Sequence, residues 1–245
     1  MFNQIKFGKD EIRDIIASIL ALSVAFTIFF AGGLSGIETM ANNPDEFIVM
    51  TFLCIVTVGS GFILHEMAHK ITAIYYGASA KFVMWFQGIF LMMLTSLFGF
   101  IFAAPGAVYI YAPRITRKEN GMISLAGPVT NLVVAIAFIF LSATKEITVF
   151  LAILGGPISV WQFGAYINLL LGLFNAIPVF PLDGSKIFAW SKVVWGGFLI
   201  ATGIVAIVME KMLDMPGFFM GMVVSWGILL VLFMLISGLF SRVRK

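Results

Sequence analysis

Long apolar runs separated by short polar stretches set the character of this chain. Such runs occupy residues 13–34, 48–70, 121–142, 151–174, 193–209 and 218–240. Each is close to the ~20 mostly apolar residues that a helix needs to cross the hydrocarbon of a bilayer. They predict six transmembrane helices. A seventh apolar stretch, 87–104, has different flanks. Ala80-Lys81-Phe82-Val83-Met84-Trp85 precedes it and Ala107-Val108-Tyr109-Ile110-Tyr111 follows it, both rich in β-branched and aromatic residues and so predicted as short strands. Gly88, Gly99 and Pro105-Gly106 offer turns between them. A strand pair at membrane depth is tolerated only where protein covers it or where it lines a wet cavity. The competing expectation is a further crossing helix.

Charge placement decides between the two. With a cytoplasmic N-terminus and a stretch 87–104 that enters and leaves on one side, 13 of the 15 basic residues face the cytoplasm, all but Lys145 and Lys211. A full crossing would divide them almost evenly, against the excess of Lys and Arg expected in cytoplasmic loops. The expected fold class is therefore an all-α polytopic membrane protein, six transmembrane helices plus a small re-entrant β-loop element between the second and third. Its expected divisions are 1–47 (first helix and external loop), 48–192 (catalytic membrane core) and 193–245 (two C-terminal helices). The first apolar run exceeds a signal-peptide core of ~7–15 residues, so it is expected to be a retained span.

Composition agrees. Hydrophobic residues make up 61% and charged residues 11% of the chain, against about 25% charged in a soluble domain. The net charge of +3 sets topology and gives no reason to expect nucleic acid as a partner. The single cysteine, Cys54, excludes an internal disulfide.

The only two histidines fall in His65-Glu66-Met67-Ala68-His69, at the end of the second apolar run. Four apart on a helix, they share a face. Two imidazoles so placed can hold one zinc, with Glu66 beside them as general base. Ionisable groups at membrane depth are costly and mark function by default. A catalytic zinc usually takes a third protein ligand and keeps one position for water. Asp183 is the one other acidic residue at comparable depth, in Asn175-Ala176-Ile177-Pro178-Val179-Phe180-Pro181-Leu182-Asp183-Gly184. The two prolines should unwind the chain there. Asp183 can meet the histidines only if its helix runs parallel to theirs, which the six-span arrangement provides and a seven-span one does not. Capping of the following helix is the alternative role for Asp183.

His65-Glu66-x-x-His69, Gly127-Pro128-x-x-Asn131 and Asn175-x-x-Pro178-x-x-Pro181-Leu182-Asp183-Gly184, in this order, resemble the site-2 protease family of intramembrane zinc metalloproteases. The resemblance covers about residues 48–190 and describes a compact member without a PDZ or CBS domain. It implies one zinc per chain on His65, His69 and Asp183, Glu66 as catalytic acid/base, and Asn175 as a polar contact to substrate or transition state. Asn175 serving backbone groups freed by Pro178 stays open. So does a purely packing role for Gly127, Pro128 and Asn131. The implied partners are single-pass or other membrane-protein substrates and the lipid bilayer. The implied place is the cell membrane, with the active site towards the cytoplasm. A membrane metal-binding or transport protein, and a catalytically silent substrate-binding relative, are the alternatives.

Overall fold

The computed structural model describes residues 6–102 and 104–213, together with Gly217, Met220, Gly221, Val224 and Gly227. The expected span 218–240 lies almost entirely outside the described residues.

Helix α1 spans Lys9–Phe30 and opens with Asp10 and Glu11 in its first turn, where carboxylates complement the helix dipole. A short α2 (Ile37–Asn42) leads to α3 (Pro44–Cys54), which has Pro44 in the first turn. α3 continues through a π-bulge, Ile55–Gly59, into α4 (Ser60–Tyr75). The three pieces form one apolar rod of 32 residues. Strand β1 (Ser79–Met84), helix α5 (Phe86–Leu97) and strand β2 (Gly106–Tyr111) follow. Helix α6 (Arg117–Thr144) starts in a capping box between Thr116 and Glu119. Strands β3 (Thr148–Leu151) and β4 (Gly156–Ser159) precede α7 (Val160–Asn175), α8 (Asp183–Trp190) and α9 (Lys192–Met212).

Four of these rods are long and apolar enough to cross a membrane: Lys9–Phe30, Pro44–Tyr75, Arg117–Thr144 and Lys192–Met212. Their outer faces carry exposed Ile16, Leu20, Val133, Phe140 and Ile204, the pattern of a multi-pass membrane protein facing lipid. The expected helix 151–174 is corrected. Its first part is a hairpin, β3 paired antiparallel with β4, and helix begins only at Val160. Gly155 and Gly156 sit at positive φ, 86° and 147°, and Pro157 follows. Hydropathy counts these residues as span, but the backbone turns there.

The stretch between the two predicted strands folds back on itself. β1 and β2 pair antiparallel, Phe82 opposite Val108 and Met84 opposite Gly106, so the chain leaves and re-enters the same sheet. α5 has 12 residues, about 18 Å of helix against a ~30 Å hydrocarbon core.

Two apolar clusters meet on α7. One joins Leu22 and Phe26 of α1, Leu53 of α3, Met92 of α5 and Ile167 of α7. The other joins Ala135 and Phe138 of α6, Leu169 and Leu173 of α7, and Met209 of α9. α4 is held between α6 and the hairpin, and its middle turns meet Asp183 at the start of α8.

Single cysteines at Ser79 and Arg114, in a Cys54→Ser background, should react with an impermeant maleimide from the same face of sealed vesicles. One at Glu146 should react from the opposite face. Labelling of Ser79 and Arg114 from different faces would rule out the re-entrant arrangement.

Candidate metal centre

His65 and His69 project from adjacent turns of α4, and Asp183 begins α8 after the proline-containing turn. All three are buried. The Nε2 atoms of the two imidazoles lie 3.0 Å apart. Oδ2 of Asp183 lies 3.3 Å from Nε2 of His65 and 2.9 Å from Nε2 of His69. Among the described residues this is the one group of three or more His, Cys, Asp or Glu side chains arranged to hold a metal.

The protonation of His65 follows from a chain of buried amides. Asn168 of α7 directs Nδ2 at the carbonyls of Thr57 (3.3 Å) and Gly164 (2.9 Å). Carbonyls only accept, so Oδ1 of Asn168 faces away and takes Nδ2 of Asn131 at 3.1 Å. Nδ2 of Asn131 also donates to the Gly61 carbonyl at 3.2 Å. Its Oδ1 then accepts from Nδ1–H of His65 at 2.6 Å. With the proton on Nδ1, Nε2 presents a bare lone pair. His69 is set the same way, its Nδ1–H donating to the Ile123 carbonyl at 2.7 Å. Ile123 immediately precedes Ser124, whose carbonyl Pro128 leaves without a helical donor.

Two Nε2 atoms and a carboxylate oxygen thus point at one small volume, which a proton or a metal cation shared among them would hold together. A tetrahedral zinc with ligand bonds of about 2.0–2.1 Å holds its ligand atoms about 3.3 Å apart. The observed separations are close to that edge length, and the nitrogen and oxygen donors suit zinc, so the residues present fit the ion.

Glu66 lies on the same helical turn, buried, with Oε2 accepting the Val108 N–H of β2 at 2.9 Å. Glu66, the three converging side chains and Asn175 border a cavity of about 190 Å³, whose other walls include Gly106 and Ile110 of β2. Asn175 stands on this wall, and its Nδ2 donates one turn back to the Leu171 carbonyl at 3.0 Å. That bond lies within α7 and relieves none of the groups freed by Pro178.

Gly127 explains why the Gly-Pro-x-x-Asn segment passes here. A Cβ on it would stand 2.5 Å from Nε2 of His65 and 2.6 Å from Cε1 of His69. Only glycine lets α6 approach both imidazoles this closely, and Asn131, one turn on, then reaches His65.

Sequence reasoning missed Asn168. It lies seven residues before Asn175 on a mostly apolar helix, so the two amides share a face. That pairing was the available signal. The charge count placed Lys70 among the basic residues on the cytoplasmic side. Lys70 is 1% exposed and paired with Glu11.

A model of the family described as "Peptidase family M50" matches residues 151–197. The candidate zinc metalloprotease MJ0611 of Methanocaldococcus jannaschii is 38% identical over 193 residues, 78% of this chain and 89% of that protein. The chain belongs to peptidase family M50. Zinc metalloprotease MJ0392 of the same organism is 26% identical over 76% of this chain, which spans 46% of its length. The candidate zinc metalloprotease YwhC of Bacillus subtilis is 31% identical over 57% of this chain and 68% of its own. No solved structure matches. M50 is the family of site-2 proteases, intramembrane zinc metalloproteases, and this M50 chain carries one candidate His/His/Asp zinc site.

Asn168→Leu should weaken zinc binding by about ten-fold or more, read by competition with a chromophoric chelator, because the amide chain then no longer fixes the proton on His65. Gly127→Ala should lose most bound zinc while the protein remains folded, as seen by metal content beside circular dichroism.

Proposed function

We propose that this chain hydrolyses a peptide bond within or beside the transmembrane segment of a membrane-protein substrate, with its active site towards the cytoplasm. In this reading His65, His69 and Asp183 are the ligands of one zinc, Glu66 is the general base, and Asn175 contacts the substrate. The observation that carries the reading is the convergence of two imidazole Nε2 atoms and a carboxylate oxygen beside Glu66 in a cavity walled by a strand edge.

When bound, zinc would supply Lewis acidity and lower the pKa of a bound water to about 7. The protein's own groups do the rest. Asn131 and the Ile123 carbonyl hold the proton of each neutral imidazole on Nδ1 and aim Nε2 inward. Glu66 takes a proton from water and later passes it to the leaving amine. The amide of Asn175, at the cavity wall, would donate to oxygen charge developing on the scissile carbonyl.

A helical substrate hides its carbonyls in its own hydrogen bonds, so a segment must unwind before attack. The hairpin gives that segment a place. The outer edge of β1 is closed, since Phe82 N–H donates to Glu11 (2.9 Å) and Met84 N–H to Asp14 (3.3 Å). The outer edge of β2 faces the cavity, and by register Gly106, Val108 and Ile110 turn their backbone groups towards it. In this reading the unwound substrate adds as a strand on β2.

Purified protein should hold about one zinc per chain. Glu66→Gln should keep the zinc and lose turnover by ~10²–10⁴-fold, while His65→Ala and Asp183→Ala should lose most of the metal. Indifference of metal content to Asp183→Ala would break the proposed ligand set. Ile110→Pro removes an outward donor from β2 and no bond within the hairpin. It should abolish cleavage with zinc retained, and full activity would sink strand addition at this edge.

A further inference from the structure

Three side-chain hydrogen bonds, one cross-strand pair and one turn of α4 join Glu66 into a closed circuit that contains none of the three converging side chains. Its Oε2 accepts Val108 N–H at 2.9 Å. Val108 stands directly opposite Phe82 in the hairpin. Phe82 N–H leaves the other edge and donates to Oε1 of Glu11 at 2.9 Å. The same Oε1 accepts from Nζ of Lys70 at 2.6 Å. Lys70 lies four residues after Glu66, one turn along the same helix. One cross-strand pair is therefore gripped from both edges by carboxylates, and both grips return to α4.

The components of the ring are dry. Glu11 is 2% and Lys70 1% exposed. Nζ of Lys70 also donates to the Lys6 carbonyl at 3.0 Å and sits 4.0 Å over the Phe7 ring. A buried ion pair is a weak device for stability, because desolvation offsets much of the attraction, and apolar replacement of both partners is often neutral. Stability alone is thus a poor reason for this pair, whose lysine directly follows His69.

We propose that Glu11 and Lys70 are positioning residues for the reaction. Through the hairpin they set where Val108 N–H stands, and so the direction of the Glu66 carboxylate and the depth of the open β2 edge beside it. Misplacing a catalytic group by about 1 Å can cost ~10²-fold in rate. The proposal rests on Glu66 acting as base.

The test uses the full chain in detergent with zinc bound. The probe is a synthetic transmembrane peptide carrying a fluorophore–quencher pair around a central Asn-Gly helix break. Glu11→Leu/Lys70→Met removes both charges and opens the ring. It should keep one zinc and the wild-type thermal midpoint, lose about ten-fold or more in kcat, and speed hydrogen exchange in residues 106–111. Lys70→Arg, which retains the pair, should remain near wild type. Should the double variant not fold, Glu11→Gln/Lys70→Met keeps an acceptor for Phe82 N–H but cuts the link to Lys70, and the same losses are expected. Wild-type kcat and exchange in a zinc-loaded double variant would overturn the proposal. So would unfolding or zinc loss in both double variants, which would make the pair a stability element. A wild-type protein no faster than Glu66→Gln would instead count against the proteolytic reading, and the exchange arm would still test the ring.

Discussion

Every polar group in the interior of this protein must find its partner inside the protein, because the surrounding hydrocarbon offers none. That constraint turns a few side chains into a rigid frame. Asn168 and Asn131 are fully buried, and each amide is spent on carbonyls or on the next amide. The direction of the chain of bonds is fixed by the carbonyls at its far end. In water such a chain could reverse or break cheaply. Here its polarity reaches His65 and decides which ring nitrogen is free. Interhelical bonds of this kind contribute only about 0.6 kcal/mol each on average, so their importance lies in orientation more than in stability.

The helical frame follows from the same constraint. α7 lies at the junction of the two apolar clusters and carries Asn168 inward, while α6 brings Gly127 and Asn131 past the imidazoles. The π-bulge at Ile55–Gly59 contributes the Thr57 carbonyl that anchors the amide chain. π-bulges are often found at functional sites, and this one turns a local irregularity of the helix into an acceptor. The hairpin is held in turn by carboxylates at both edges, so the metal centre and the β element share α4 as their common support.

Much of this was legible in the residues. His65, Glu66, His69 and Asp183 could be placed together because their chemistry is scarce in so apolar a chain and because parallel spans were needed to join them. The strands were legible from β-branched and aromatic runs around Lys81 and Tyr109. The start of α7 was not, because hydropathy cannot distinguish a helix from the apolar hairpin Thr148–Ser159. The roles of Glu11 and Lys70 were not legible, since nothing local to either residue says that a strand edge 71 positions from Glu11 will need an acceptor. Backbone donors such as Val108 N–H leave no mark in side-chain chemistry at all.

The length of α7 has a consequence for the bilayer. Sixteen residues make a rod of about 24 Å, shorter than a hydrocarbon core of ~30 Å. None of its residues is exposed, so its ends meet protein: the hairpin at one end and the turn-rich segment 176–182 at the other. A helix too short to match a bilayer by itself is thus sheathed by its neighbours. The amides of Asn168 and Asn175 can then sit on it without meeting acyl chains, and the thickness of the membrane reaches them only through the longer rods around α7.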